Sequence, residues 1–418
     1  MSEREAPGKL ELSVAGEVYR CSWSIGIKAE LERFSEHRDE LTAELTVYST
    51  RPPRAGLLHS ARFNLMSSQA RSTLAKALAS RDDDLDWYDL IESMCFVVRE
   101  RYRNGEPSID MRDYTPTGRP RWLIEPFLEH GGPTVFFGDG DSGKTMMAIA
   151  IAVTCATGIP VFGQLQGEPG PVLYVDYETD EETFYERLTA ICAGAGVRER
   201  PPIYYRRQGS SLRDAAPSIR REIDERRIRA VTIDALGQAC GDDPQAPDVV
   251  LGLFNVIRSF RVPTLGVDHV AKNASDQGKA FGSVYKHNGP RVTWLVEKAQ
   301  EEGASSFVVA LVNKKRNNGI KRPRLGYRIE CESQDDESLV AVRFRGADLA
   351  VDFPEKASLP QRILAELGHA TAALQPAELV ERLGARPDQI RARLRDLRRD
   401  ERVVALPDGS YALRSRSA

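Results

Sequence analysis

The chain has few of the residues that bind soft metals or form disulfide frameworks. Its 418 residues include six cysteines and six histidines. No two cysteines form a Cys-x-x-Cys pair and no histidine cluster lies beside them, which excludes the usual zinc sites and favours reduced, structural thiols in a cytosolic protein. The cysteines are Cys21, Cys95, Cys155, Cys192, Cys240 and Cys331.

Long apolar runs and a strong charge imbalance are also absent. No stretch of about 18 consecutive apolar residues occurs, and the N-terminal sequence MSEREAPGKLEL has no apolar centre. We therefore expect no signal peptide, no membrane association and a cytoplasmic location. The formal net charge is −3, so any site for nucleic acid must be a local basic patch.

The composition that is present indicates a globular protein of two or three domains. Apolar residues make up 41% and charged residues 28% of the chain, enough for at least one large core. Two segments rich in proline, glycine or charge, around 105–121 and 351–360, are typical of linkers. We predict domains at 1–112, 113–352 and 358–418.

The N-terminal domain is predicted to be a small α+β domain. Residues 10–23 and 40–50 alternate apolar and polar side chains, as half-buried antiparallel strands do. Residues 61–78 fit a strand, a serine cap and a helix, and residues 85–105 fit a second helix. The domain shows no catalytic motif, so a ring-forming collar and a partner-docking module stay open as its role. The lack of an acidic triad speaks against a primase-like remnant.

The central domain begins with a phosphate-binding sequence, GDGDSGKT, at residues 138–145. It fits the pattern G-x-x-x-x-G-K-[ST], whose glycines let backbone N–H groups point at phosphate oxygens. An apolar strand precedes it and an apolar helix follows, so the phosphates would lie at a helix N-terminus. The predicted ATP-binding residues are Gly138, Asp139, Gly140, Asp141, Ser142, Gly143, Lys144, Thr145 and Met146.

Three apolar segments after the loop are predicted to be buried parallel strands that end in functional residues. Lys144 would reach the β- and γ-phosphates. Glu178, just past the strand in the segment GPVLYVDYETDEE, could polarise the attacking water. Thr145 and Asp234, at the end of VTID, would hold Mg²⁺. His269, at the end of VPTLGVDH, could sense the γ-phosphate. The alternation of strands and helices predicts a mostly parallel sheet covered on both faces.

Two basic segments of the central domain are candidates for contacts with nucleic acid or a neighbouring subunit. The polar, glycine-rich segment 271–291 carries Lys279, Lys286 and Arg291 among aromatic residues, a combination that suits single-stranded DNA. A basic hairpin follows, in which Lys314 and Arg316 could supply positive charge to a neighbour's nucleotide. A solvated surface loop or turn is the alternative for both segments.

These motifs together resemble the RecA-type ATPase core, in particular that of RepA-like and DnaB-like hexameric replicative helicases. GDGDSGKT is similar to their Walker A loop, VLYVDYE to the strand that bears their catalytic glutamate, and VTIDAL to their Walker B strand. DHVAK resembles the HH-x-x-K stretch of RepA-like proteins, with Asp268 in place of the first histidine. NKKRNNG resembles the Lys-x-Arg finger of the DnaB-like branch. The resemblance implies a hexameric ring with ATP sites at subunit boundaries, where Lys314 and Arg316 act in trans.

The C-terminal domain is predicted to be a winged helix-turn-helix. Three helical segments precede a hairpin whose turn is Asp408-Gly409. Residues 358–418 contain eleven arginines and eight acidic residues, so this segment is basic although the whole chain is acidic. Arg391, Arg395 and Arg398 of the third helix could therefore dock on duplex DNA. Use of the same domain for protein contact is the alternative.

The sequence thus favours a ring-forming, DNA-dependent ATPase that translocates on DNA as a plasmid- or phage-type replicative helicase. One alternative is an ATP-switched DNA-binding regulator or partitioning-like protein that does not unwind. Another is a recombinase-like filament. The same ATPase core serves all three, so the motifs alone do not separate them.

Overall fold

The structure, a computed structural model, describes residues 8–15, 18–38, 40–105, 108–270, 285–301, 303–334 and 338–414. The chain divides into two compact units. The first comprises Met1–Arg119, Leu212–Arg227 and Asn255–Arg261, and the second comprises Pro120–Ser211, Ile228–Phe254 and Val262–Ala418. Among the described residues, no helix combines the length and the apolar character that a bilayer crossing requires.

The first unit is built on a five-stranded antiparallel sheet in which each strand pairs with the next along the chain. The strands are β1 Leu10–Ala15, β2 Val18–Trp23, β3 Ile27–His37, β4 Glu40–Ser49 and β5 Gly56–Asn64. Every second residue of β4 from Leu41 to Val47 is buried, which is the alternation expected from the sequence. One face of the sheet thereby forms the core of this unit.

Three helices complete the first unit. Two follow the sheet directly: α1 Ser68–Ala79 and α2 Trp87–Asn104. Side-chain oxygens of Ser67 and Asp86 accept backbone N–H groups at their N-termini, which explains where both helices begin. The predicted α+β fold of this region is confirmed.

The third helix, α5 Leu212–Arg226, comes from the middle of the chain. Arg221 of this helix lies 2.6 Å from a carboxylate oxygen of Glu30 on β3, so the helix is bonded to the sheet of the first unit.

The second unit is organised around a nine-stranded sheet. Its strands are β8 Thr134–Gly138, β10 Val172–Asp176, β11 Ile203–Arg207, β12 Ala230–Asp234, β13 Thr264–His269, β14 Val292–Ala299, β15 Ser306–Arg316, β16 Leu325–Gln334 and β17 Ser338–Ala347. They lie in the order β11-β10-β12-β13-β8-β14-β15-β16-β17. The pairings from β11 through β14 are parallel, and those from β14 through β17 are antiparallel. The mostly parallel sheet predicted from the sequence is confirmed.

Helices and a small second sheet accompany these strands. The helices are α3 Lys144–Thr157, α4 Glu181–Ala195, α6 Leu236–Ala239, α8 Tyr285–Asn288 and the first part of α7 Pro247–Ser259, whose last residues belong to the first unit. The small sheet consists of β6 Trp122–Glu125, β7 Leu128–Glu129 and β9 Gln164–Leu165, with β6 in the middle. Every residue of β8, β10 and β12 is buried, as expected for strands covered on both faces.

The C-terminal part of the second unit contains helices and a two-stranded hairpin. The elements are α9 Leu349–Asp352, a 3-10 turn Pro354–Lys356, α10 Leu359–His369, α11 Pro376–Leu383, α12 Pro387–Arg399, β18 Val403–Ala405 and β19 Tyr411–Leu413. Buried side chains of α10, α11 and α12, including Ile363, Leu379 and Ile390, form a separate small core. The order of three helices followed by a hairpin is the order predicted from the sequence.

Candidate nucleotide-binding site

The carboxyl ends of four parallel strands bring the predicted site residues to one edge of the large sheet. In the strand register, Asp176 of β10 lies opposite Asp234 of β12, and His269 of β13 lies opposite Gly138 of β8. Ligands of open α/β sheets bind beyond this edge. Residues far apart in the sequence are therefore neighbours where the phosphate loop begins.

The phosphate loop joins β8 to α3. Gly138 has no room for a side chain, because a Cβ would lie 2.4 Å from the Val296 carbonyl oxygen on β14. Gly143 precedes α3 with φ of 84°, a conformation that favours glycine. The helix therefore begins at Lys144 with its free N–H groups beside the loop.

The Lys144 ammonium is held inside the loop. Its Nζ donates to the carbonyl oxygens of Gly138 at 3.0 Å and Asp139 at 2.5 Å, and to Ser142 Oγ at 3.2 Å. Burial of the side chain lowers the pKa of Lys144, and the nearby carboxylate of Asp234 partly opposes this shift. The positive charge is thus held in a fixed place inside the loop.

Asp234 forms the polar centre of the site. Its Oδ2 accepts hydrogen bonds from Thr145 Oγ1 and from the Tyr174 hydroxyl, each at 2.8 Å. Its Oδ1 is buried and has no hydrogen-bond partner among the described residues. Burial raises the pKa of Asp234 to about 6, although the bonds from Tyr174 and Thr145 act in the opposite direction.

Thr145 and Asp234 fit the predicted Mg²⁺ site. Both supply oxygen atoms, the ligand type that Mg²⁺ prefers, and Oδ1 of Asp234 is an acceptor suited to a cation or its water. No group of three or more His, Cys, Asp or Glu side chains suited to a metal occurs in the described part of the chain. Such a paucity of protein ligands is usual where Mg²⁺ binds with nucleotide phosphates and water.

The raised pKa of Asp234 predicts a pH-dependent stability. The pKa of Asp234 is about 6 in the folded chain, against an ordinary value of 3.8. Between these pH values the folded chain keeps a proton on Asp234 that the unfolded chain has lost. The free energy of unfolding therefore falls as the pH rises from about 4 to 6. The loss is on the order of 3 kcal/mol. Urea unfolding without Mg²⁺ should show the loss relative to Asp234→Asn, and parallel curves for the two proteins would contradict it.

Glu178 is held beside the loop by groups from two neighbouring segments. The Asp176 carboxylate accepts the backbone N–H of Glu178 at 2.8 Å and fixes the turn after β10. Glu178 Oε1 accepts a hydrogen bond from Gln238 Nε2 at 3.0 Å and lies 3.0 Å from His269 Nε2. The Glu178 side chain is 28% exposed, so solvent water can reach it.

A cavity of about 930 Å³ joins these groups. Its walls include loop residues 141–146, Glu178 and His269. The structure therefore brings together Lys144, Thr145, Glu178 and His269, while Asp234 is buried behind Thr145. The remaining loop residues contribute through the backbone: the carbonyls of Gly138 and Asp139 bind Lys144, and Gly140 separates Asp139 from Asp141.

Several contributors to the site were missed from the sequence. Lys298 of β14 lines the cavity, with its Nζ 2.8 Å from Asp141 Oδ2 and 4.5 Å from the centre of the Phe307 ring. Gln238 bonds Glu178, and Tyr174 bonds Asp234. The apolar run VTWLV before Lys298 is a signal for a further strand, whereas no local pattern marks Gln238 or Tyr174 as a site residue.

The predicted DNA contacts of segment 271–291 have different outcomes. Lys279 lies outside the described residues. Lys286 is 1% exposed and its Nζ lies 2.9 Å from Asp268 Oδ2, so the prediction that Lys286 contacts DNA is wrong, because its charge is paired in the core. Arg291 is partly buried directly before β14, with its side chain over Gly132. Its contact with DNA stays a prediction.

Lys314 and Arg316 lie at the end of β15. Arg316 packs over the Trp122 ring with its guanidinium carbon 5.1 Å from the ring centre, and its Nη1 donates to the Ile320 carbonyl oxygen at 2.8 Å. Neither residue is among those that line the described cavity. Their action on a neighbouring subunit stays a prediction.

Helix α12 has a buried face and an exposed face. Ile390, Leu394 and Leu397 are buried in the C-terminal core. The predicted DNA-binding residues of this helix share the exposed face, and no ion pair involves them within the described residues, whereas Arg393 binds Asp396 at 2.9 Å. These exposed residues are Arg391, Arg395 and Arg398.

Comparison with known families agrees with the geometry. A family model described as an AAA domain matches residues 103–275, which is less than half of the chain. The match includes β8, the phosphate loop, β10 with the following Glu178, and β12 with Asp234. The match supports the interpretation of GDGDSGKT as a phosphate loop in the central part of the chain. No curated protein matches the sequence significantly.

Solved structures with detectable similarity include two archaeal proteins. A KaiC-like protein from Pyrococcus horikoshii OT3 is 13% identical, covers 53% of this chain and 93% of its own, and has a TM-score of 0.37. The flagellar accessory protein FlaH from Methanocaldococcus jannaschii is 10% identical, covers 52% of this chain and 91% of its own, and has a TM-score of 0.36. The sequence identities and TM-scores are too low to transfer a function from these two proteins to this chain.

Proposed function

We propose that the protein is a ring-forming, DNA-dependent ATPase that translocates on DNA as a replicative helicase. The observation that carries the hydrolytic part is the Glu178 carboxylate, bonded by Gln238 and 3.0 Å from His269 in the cavity of the phosphate loop. The exposed arginine face of α12 supports the DNA part, because exposed cations on one helix face suit phosphate contact.

Each residue of the site has a defined task in this reaction. The incoming β- and γ-phosphates replace the loop oxygens around Lys144, whose charge offsets the charge of the transition state. Glu178 accepts a hydrogen bond from the attacking water and aligns it with the γ-phosphorus. His269 and Gln238 hold the Glu178 carboxylate in place. Mg²⁺ near Thr145 and Asp234 would neutralise phosphate charge.

Ring assembly belongs to the same proposal. A helicase ring needs residues that connect the ATP site of one subunit with the next, and Lys314 and Arg316 meet the chemical requirement for such contacts. The support is that Arg316 is held by Trp122 and Ile320 in a fixed place outside its own ATP cavity.

A DNA-bound ATP switch is the second candidate. It is favoured by the position of Arg391, Arg395 and Arg398 on a helix that belongs to a small core of its own. Such a domain could bind a duplex site while ATP controls assembly, without unwinding.

Strand displacement on forked DNA tests the leading proposal. The wild-type protein should hydrolyse ATP faster with single-stranded DNA and should separate the fork, and Lys144→Ala should do neither. ATP hydrolysis without strand separation would support the switch instead. Absence of ATP hydrolysis by the wild-type protein would contradict both.

The arginine face makes a separate prediction. Replacing Arg395 and Arg398 with alanine should weaken duplex binding and reduce the slope of log K against log salt by roughly one unit for each phosphate that the variant no longer binds. Arg393→Ala is the matched control on the same helix, because Arg393 is already paired with Asp396. Equal slopes for the double variant and this control would exclude duplex contact by this face.

A further inference from the structure

A buried ion pair lies behind the groups that hold Glu178. Lys286 Nζ of α8 is 2.9 Å from Asp268 Oδ2 of β13, and both side chains are 1% exposed. Burial raises the pKa of Asp268, and Lys286 opposes that shift. Because the cost of burying two charges can exceed what their attraction returns, such a pair is weak evidence for a stabilising role.

The Asp268–Lys286 pair lies next to His269 and Gln238, the two side chains that contact the Glu178 carboxylate. Asp268 directly precedes His269 on β13. A Cβ added to Gly237 of α6 would lie 3.8 Å from Asp268 Oδ1, and the next residue is Gln238. The Asp268 carboxylate therefore packs where β13 and α6 meet, below the His269 and Gln238 contacts to Glu178 Oε1.

We propose that Asp268 and Lys286 are positioning residues for ATP hydrolysis. The ion pair fixes the end of β13 against α6, so that His269 and Gln238 hold Glu178 beside the phosphate loop. Lys286 also accounts for the acidic residue at position 268, since a carboxylate in this core needs a buried cation. The proposal rests on the proposed ATPase function.

Removal of one charge should slow turnover without weakening ATP binding. Lys286→Met and Asp268→Asn should each lower kcat by about 10- to 100-fold, because a small misplacement of catalytic groups has effects of this size. The dissociation constant for ATP should change by less than about twofold, since the phosphate loop is untouched. The double variant, which leaves no unpaired buried charge, should recover only part of this loss in kcat, because the ion pair that fixes β13 against α6 is still missing.

Two controls separate positioning from a general loss of structure. Lys356→Met removes a different ion pair, with Glu297 at 2.8 Å, and should leave kcat unchanged. In a Glu178→Gln background, Lys286→Met should cause no further loss, because its effect passes through Glu178. An additional loss in that background, or a normal kcat in both single variants, would overturn the proposal. If the single variants do not fold, the double variant must show reduced kcat with normal ATP affinity.

A measurement that needs no hydrolysis distinguishes failure of this proposal from failure of the ATPase assignment. The ring resonances of His269, identified by their loss in His269→Asn, report its contact with Glu178. Glu178→Gln and Lys286→Met should both shift these resonances, and Lys356→Met should not. Unshifted resonances in Lys286→Met would refute the positioning role even in an active enzyme. Shifted resonances in a protein without ATP hydrolysis would refute only the proposed function.

Discussion

Lys144→Ala should reduce ATP hydrolysis by at least about 10²-fold, the effect of removing one preorganised charge from a phosphoryl-transfer site. Lys144 Nζ is surrounded by three loop oxygens from Gly138, Asp139 and Ser142, so its position is fixed before substrate binds. Alanine leaves the backbone N–H groups of the loop but removes the ammonium that these bonds orient. Steady-state phosphate release with and without single-stranded DNA measures the loss.

This variant should lose activity without losing its fold. Burial lowers the pKa of Lys144, which means that the folded chain disfavours its charged form. Removing the side chain relieves a buried charge but also removes its three hydrogen bonds to the loop, so the two effects offset each other and the protein should stay folded. Lys356→Met is a suitable control for the loss of a lysine elsewhere in the same unit. Near-normal hydrolysis by Lys144→Ala would refute the assignment of ATP hydrolysis to the phosphate loop.

The central residues of the site can be predicted from the sequence because each lies at the end of a strand or directly after it. Glu178 and Asp234 each follow a short apolar run, and parallel strands place such ends at one edge of a sheet. The phosphate loop needs only its own eight residues and the flanking strand and helix. The same locality explains why capping residues such as Ser67 mark a helix start in the sequence.

Interactions between distant segments do not follow from local patterns. Lys286 belongs to a segment that is polar and rich in glycine, which predicts a surface position, yet it pairs with Asp268 in the core. Lys298 and Phe307 enter the cavity from β14 and β15, whose antiparallel pairing has no local signature. Such placements depend on strand order, which the local pattern of apolar residues does not encode.

Glu178→Gln should separate ATP binding from ATP hydrolysis. The amide keeps the size of the side chain and can still accept a hydrogen bond from Gln238, but it cannot take a proton from water. We expect kcat to fall by about 10² to 10⁴-fold, while affinity for ATP stays near the wild-type value because Lys144 and Thr145 are unchanged. Single-turnover hydrolysis and equilibrium ATP binding measure the two quantities independently.

Variants of Gln238 and His269 can be compared with Glu178→Gln, because both residues contact Glu178. Gln238→Ala and His269→Ala should each show a smaller loss of kcat than Glu178→Gln, because each removes one contact to the carboxylate and leaves the base itself. Adding His269→Ala to Glu178→Gln should have little further effect, since residues that act as a unit are not additive. A parallel fall of affinity and turnover in Glu178→Gln would instead assign Glu178 a structural role at the end of β10. Hydrolysis that persists in Glu178→Gln but not in His269→Ala would transfer the role of base to His269.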